Sequence, residues 1–277
     1  MMGPMLALAS AVVYGLVDYA GGILSRRLHY AFVAWVGQVG GLLFALLAAM
    51  AVPSEHVGLI DLGFGALSGV GSAVTMLYLN RALARGDMSV VLPISAVTGV
   101  ALSVLCGVWF LAEQPTPAAW VGIAMMLPAL WLVSSGRRGL HGSSAIRDGL
   151  IASVGVAVQY IGLGLATDGS GLWAVVAGRA AAVLVLAPVF ATARNAWPVS
   201  RTDIAKALAI GAGAALGLAL YLLATRQQLL AIAVALASLY PVIPVLLGVF
   251  VLHEHVTHRR VIGLVAAGIA VVLLSLG

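Results

Sequence analysis

Two ionisable side chains stand inside long apolar stretches of this chain, and chemistry is expected at both. Asp18 lies in the apolar run 1–24, and Arg179 lies in the apolar run 172–193. A charged group is costly to place in hydrocarbon, so a membrane helix that carries one usually turns it toward a cavity or a partner. A carboxyl group there can exchange a proton or hold a cation, whereas an arginine can hold a carboxylate or phosphate through its planar fork.

Both residues also have a purely structural interpretation. Asp18 could anchor a neighbouring helix by a hydrogen bond, and Arg179 could balance the charge of Asp18 or extend toward the membrane surface. Counted along their helices, the two residues lie about 9 and 10 Å from opposite ends, and so roughly 10 Å apart in height. The sequence leaves open whether Arg179 binds a substrate.

Five other polar side chains complete the set of candidate substrate-binding residues. They are Tyr14, Gln38, Tyr78, Gln159 and Tyr240. Tyr14 lies one helical turn before Asp18 on the same face, and Tyr78 ends a stripe of hydroxyl side chains spaced one turn apart. For the two glutamines, hydrogen bonding between helices is the main alternative to substrate binding.

The composition predicts an all-α integral membrane protein. The chain has 277 residues, of which 62% are hydrophobic and only 8% are charged, whereas a soluble domain carries about 25% charged residues. The apolar runs are too long and too uniform for the strands of a membrane barrel. We predict ten transmembrane helices, over residues 3–24, 31–51, 57–80, 88–111, 117–134, 148–167, 172–193, 203–225, 231–252 and 259–276.

The connections between these runs predict the orientation of the chain. All fourteen Lys and Arg residues except Arg179 and Arg226 lie in or beside the connections after the odd-numbered spans. The positive-inside rule places those connections in the cytoplasm and both termini outside. The longest connection, 134–147, is rich in Gly, Ser and Arg and is expected to be a loop. Glycines spaced by four, such as Gly65 and Gly69, predict close helix packing.

A constant offset of 141 residues links polar positions across the two halves. It carries Asp18 to Gln159, Gln38 to Arg179 and Glu113 to Glu254. We interpret this as an internal duplication, with a first repeat over 1–140, a second over 141–277 and no soluble domain. Each half has an odd number of spans, so the second enters the membrane in the opposite sense, as in many secondary transporters. By this symmetry, Asp18 is expected near Gln38, and Gln159 near Arg179.

Several other partners are excluded or not expected. The net charge of +5 is spread over short connections and not along a face, which argues against nucleic acid. The single cysteine, Cys106, allows no disulfide or thiolate site, and we expect no cofactor. The histidines around Glu254 lack zinc-ligand spacing and are interpreted as a solvated turn. Tyr221, near the end of its span, is expected in the aromatic belt at the membrane surface.

Two segments at matching positions carry a family resemblance. Each has a glutamate at the end of a span and a glycine nine residues later, in LAEQPTPAAWVG (Glu113, Gly122) and LHEHVTHRRVIG (Glu254, Gly263). The pairs Ala82-Leu83 and Tyr240-Pro241 precede them. These segments, with the opening run around Tyr14-Gly15, resemble the EamA-type repeat of the drug/metabolite transporter superfamily. The resemblance implies a ten-helix transporter of the inner membrane that exports small polar or amphipathic metabolites, such as amino acids, by alternating access.

Alternative functions remain open at this point. The protein could export a cationic drug or quaternary ammonium compound, with Asp18 as the counter-charge. If Arg179 faces the cavity, an anionic or zwitterionic substrate is favoured; if Arg179 is locked away, a cation is. Transport could be coupled to protons or passive, by a monomer or a homodimer in the bilayer. An intramembrane enzyme is disfavoured because no histidine lies inside a span and no metal-binding acids cluster. A partner-subunit role is not excluded.

Overall fold

The computed structural model describes residues 2–85, 95, 102, 107–108, 114–134, 143–193, 199–237, 239–240, 242–243 and 258–275. Every secondary-structure element in this part of the chain is helical. The α-helices are α1 (Met2–Ser25), α2 (Tyr30–Ala51), α3 (Leu59–Arg85), α4 (Pro117–Ser134), α5 (Ser143–Gly164), α6 (Trp173–Ala193), α7 (Arg201–Thr225), α8 (Leu230–Ala237) and α9 (His258–Ser275), with a 3-10 turn at Asp168–Ser170.

The observed helices follow the predicted spans to within a few residues at most ends. The predicted span 88–111, most of 231–252 and the histidine turn around Glu254 lie outside the described residues. One prediction about a connection is wrong, because α5 already begins at Ser143 inside the expected loop. Its polar first turns are held by an ion pair between Arg81 Nε of α3 and the buried Asp148 Oδ2, 3.2 Å apart.

Five helices are long and apolar enough to cross a membrane, namely α1, α2, α3, α6 and α7. Their outer faces carry large apolar side chains that the protein itself leaves uncovered. Leu47 of α2 is 71% exposed and Leu184 of α6 is 73% exposed. In water such a surface would be unfavourable, so these faces fit a hydrocarbon environment.

Glycines set how closely the helices approach. Gly69 of α3 faces Gly178 of α6 so tightly that an added Cβ would lie 2.7 Å from the Gly178 Cα atom. Gly37 of α2 likewise faces Gly211 of α7. Small residues let helix backbones meet, which in membranes is a main source of packing energy. The close packing predicted from the spaced glycines is therefore confirmed at Gly69.

The helices pair in a regular pattern. The packing of α3 against α5 and α6 is matched by the packing of α7 against α1 and α2, which are the same pairs shifted by 141 residues. Helices α2 and α6 run antiparallel, since Gln38 contacts Arg179, Trp35 contacts Val183, and Phe32 contacts Phe190. Helices α4 and α9 also pack on each other.

At one end of the bundle, the connection 165–172 is held on two sides. The Thr167 N–H donates to Asp61 Oδ1 at 2.8 Å, and Arg226 Nη2 donates to the Gly171 carbonyl at 2.7 Å. Arg226 Nε also lies 3.3 Å from Asp168 Oδ1. Partial burial lowers the pKa of the Arg226 guanidinium and the Asp168 carboxylate opposes this shift, so the group stays charged at neutral pH. These contacts tie α3, α7 and the connection together.

Candidate functional site

A cavity lies between the helices of the two halves. Helices α1, α3, α5, α6 and α7 all contribute to its wall. The lining residues are Tyr14, Asp18, Ser72, Thr75, Met76, Leu79, Val156, Gln159, Tyr160, Arg179, Ala214 and Tyr240. Five of the seven candidates predicted from the sequence are therefore placed together in one wall.

Arg179 is held in place by neutral acceptors. Its Nη1 donates to Gln38 Oε1 at 2.8 Å and to Ser72 Oγ at 3.1 Å, and its Nη2 donates to the Ala214 carbonyl at 3.1 Å. The side chain is 2% exposed, and its Nε, beside Gly41, has no hydrogen-bond partner within the described part of the chain. The guanidinium group is thus fixed between both halves of the protein.

The two remaining candidates lie outside the cavity wall. Gln38 is fully buried behind Arg179, where its Nε2 also donates to Ser72 Oγ at 3.1 Å. Tyr78 packs against the main hydrophobic core and is not among the residues that line the cavity. For Tyr78, a direct role in substrate binding stays a prediction. Gln38 contacts Arg179, whose Nη1 donates a hydrogen bond to it.

Asp18 differs from Arg179 in its surroundings. Its side chain is half-buried on the cavity wall, and no hydrogen bond or ion pair to it is found among the described residues. Its neighbour one turn earlier, Tyr14, accepts a hydrogen bond from Gln159 Nε2 at 3.2 Å. The carboxyl group is therefore a polar group of this wall that a ligand can contact without displacing a partner among the described residues.

One of the two pairs of neighbours expected from the symmetry is wrong. Gln159 lies near Arg179 as expected, because both contact Tyr14. Asp18 was expected near Gln38, yet Gln38 accepts its hydrogen bond from Arg179. The cause is that α2 packs against α6, so residues at equivalent positions of the two halves meet each other. A duplication tells which positions are equivalent, but helix packing decides which are adjacent.

Two aromatic residues near the site were missed. Tyr160 lines the cavity, and its ring packs on that of Tyr221 at 4.4 Å between centroids. Tyr221 is fully buried and its hydroxyl donates to the Tyr160 carbonyl at 3.2 Å, so its expected place in a surface belt is wrong. The repeat offset, which maps Tyr19 onto Tyr160, was the signal that could have drawn attention to Tyr160.

Comparisons with known proteins agree with this architecture. Residues 1–135 match the EamA-like transporter family. A solved structure described only as a crystal structure of a protein matches 99% of this chain and 96% of its own, with a TM-score of 0.71 and 17% sequence identity. At that identity the likeness concerns the fold alone. No curated protein is similar enough in sequence to match the chain.

The apolar helices and the family match together define a multi-pass membrane transporter. Residues 1–135, just under half of the chain, match the EamA-like transporter family, which is part of the drug/metabolite transporter superfamily. The resemblance drawn from the paired glutamate and glycine motifs is therefore confirmed.

Proposed function

We propose that this protein is a secondary transporter that exports small polar or amphipathic metabolites, such as amino acids, across the inner membrane. The observation that carries the proposal is the cavity between the two halves, where Asp18 stands open on a wall of five helices. A cavity with polar side chains in its wall, within a bundle of apolar helices, is the arrangement that a transported solute requires. The family of residues 1–135 supports transport as the activity.

The proposed architecture is ten transmembrane helices in two inverted repeats, 1–140 and 141–277. The matched pairing of α3 with α5 and α6, and of α7 with α1 and α2, supports a twofold relation between the halves. The antiparallel course of α2 and α6 supports the inversion, because these helices occupy equivalent places in the two copies. Inverted halves around a shared cavity suit alternating access.

Asp18 is the proposed coupling residue. Its carboxyl group can take up a proton when substrate leaves and lose it when substrate binds, which links the two fluxes. Export as the direction of transport rests on the family resemblance. The proposed orientation places the basic connections in the cytoplasm and the connection 165–172 outside. The lipid bilayer is then the only partner that this function requires besides the substrate.

Counterflow in proteoliposomes tests the proposal. Purified protein is reconstituted with a panel of unlabelled metabolites inside, and uptake of the labelled metabolite is measured with and without a pH gradient. Accumulation that needs the protein and responds to the gradient is expected. In Asp18→Asn the response to the gradient should be lost while Glu55→Gln, an exposed acid in a connection, keeps it. The absence of counterflow for every class of metabolite would refute the proposal.

A further inference from the structure

We propose that the cavity selects substrates by an ammonium group, which Asp18 holds against tyrosine rings, and that Arg179 is not a receptor for a substrate carboxylate. This inference rests on the proposed transport function for its biological meaning, and it deepens that function by naming the substrate class. Its test is binding in detergent, which does not depend on transport.

The first step is that most of the N–H donors of Arg179 are already used within the protein. Both hydrogens of its Nη1 are engaged by Gln38 and Ser72, and Nη2 is engaged by the Ala214 carbonyl. The side chain is 2% exposed, and its unbonded Nε is buried beside Gly41. A bidentate carboxylate would therefore have to displace bonds that already hold the guanidinium group.

The second step is that Asp18 has the opposite properties. It lines the cavity, it is half-buried, and nothing in the described part of the chain neutralises it. A carboxylate in such a place gains most from a cation that brings its own charge and hydrogen-bond donors. An ammonium group supplies both.

The third step concerns the walls around Asp18. The rings of Tyr14, Tyr160 and Tyr240 line the same cavity. Tyr160 is backed by Tyr221, and Tyr14 is oriented by the hydrogen bond from Gln159, so at least two rings are held in place. Aromatic faces attract organic cations by about 0.5–2 kcal/mol, and more strongly where water is excluded.

The apolar side chains of the cavity wall indicate what kind of group the rest of the substrate carries. Met76, Leu79 and Val156 give the cavity an apolar side, as is usual for sites that bind small molecules. The structure therefore points to a small amphipathic amine with an apolar or aromatic body, in which a carboxylate is tolerated but not required.

Arg179 has a different part in this scheme. Its positive charge lines the same cavity as Asp18, so it opposes a bound cation and keeps the affinity low. Removing that charge should tighten amine binding. If Arg179 were instead a carboxylate receptor, its removal should weaken the binding of an amino acid, and the two ideas thus predict opposite signs.

Four probes with the same phenyl body separate these outcomes, measured by calorimetric titration of the purified protein. They are phenethylamine, phenylalanine, 3-phenylpropionate and phenethyl alcohol. Phenethylamine and phenylalanine should bind, and the other two should bind at least about tenfold more weakly. Equal binding of 3-phenylpropionate and phenethylamine would overturn the inference, as would a lack of phenethylamine binding. This comparison uses the unaltered protein and needs no variant.

Variants then assign the roles. Asp18→Asn should weaken phenethylamine binding at least about tenfold, while the matched carboxylate-to-amide change Glu55→Gln leaves it unchanged. Arg179→Gln should strengthen phenethylamine binding several-fold, and weaker binding would contradict the opposing role given to its charge. Loss of phenylalanine binding in Arg179→Gln with normal binding in Asp18→Asn would overturn the inference. Binding without counterflow would refute transport alone, and counterflow of 3-phenylpropionate would refute ammonium selection alone.

Discussion

The contact between Gly69 and Gly178 offers the sharpest test of how the helices position this site. A Cβ added at Gly69 would lie 2.7 Å from the Cα atom of Gly178, and it would also overlap the carbonyl group of that residue. These are backbone atoms, which cannot rotate aside as the end of a side chain can. In Gly69→Ala, helices α3 and α6 must therefore move apart.

The expected cost follows from overpacking, which destabilises a protein by about 1–3 kcal/mol. The same substitution at Gly63, also on α3, provides the control. Gly63 is exposed and has no atom within 4 Å of an added Cβ among the described residues, so Gly63→Ala should gain up to about 1 kcal/mol of helix propensity. The two alanine variants should thus differ by about 2–4 kcal/mol.

The separation should also reach the functional site. Ser72 lies three residues from Gly69 on α3, and Arg179 follows Gly178 on α6, with 3.1 Å between the Ser72 Oγ and Arg179 Nη1 atoms. Moving the helices apart stretches this bond. Thermal unfolding in detergent and counterflow in liposomes measure both effects. If Gly69→Ala melts at the same temperature as Gly63→Ala and transports equally well, the packing argument is refuted.

Three further perturbations test other parts of the structure. Arg226→Ala removes a charged hydrogen bond to Gly171, worth about 1.5–3 kcal/mol. The amides of Glu55 and His56, which donate to the Gly169 carbonyl in the same connection, should then exchange hydrogen faster, whereas Arg201→Ala, at an exposed helix start, should not change their exchange. Tyr221→Phe keeps the ring contact but loses the bond to the Tyr160 carbonyl, and should lower stability by about 0.5–1.5 kcal/mol in a chemical unfolding curve; no change would mean that the bond contributes nothing. A reporter fused to the C-terminus should read as external, and a cytoplasmic signal would invert the proposed orientation.

The sequence was sufficient for the helices and for most of the site, because both follow from the cost of polar groups in hydrocarbon. Asp18, Tyr14, Gln159, Arg179 and Tyr240 are polar interruptions of apolar runs, and all of them line one cavity. Hydropathy alone could place them in the interior. It could not say which ones touch.

The position of Tyr78 outside the cavity wall has a geometric cause. Successive residues of an α-helix are about 100° apart, so a stripe that drifts by three-residue steps turns about 60° per step away from its face. Thr75 lines the cavity, but Tyr78 has rotated past it, and Leu79, four residues on from Thr75, takes its place. A strict count of angles along α3 would have selected Leu79.

The hydrogen bonds that hold the Arg179 side chain in place could not be derived from the sequence. Whether a buried arginine faces a ligand depends on which acceptors surround it, and those come from α2, α3 and α7. The close approach of α7 that brings the Ala214 carbonyl into range depends on glycine contacts such as that of Gly37 with Gly211. Such long-range complementarity is a property of the assembled bundle.

The hydrogen bond between Gln38 and Arg179 joins two residues that are 141 positions apart, the offset of the proposed duplication. A position that meets its own duplicate would, in an assembly of two identical subunits, bring the same side chain from both sides. Two arginines there would place like charges at hydrogen-bonding distance. Under the proposed duplication, a single positive charge at this point therefore requires two copies that differ in sequence, as Gln38 and Arg179 do.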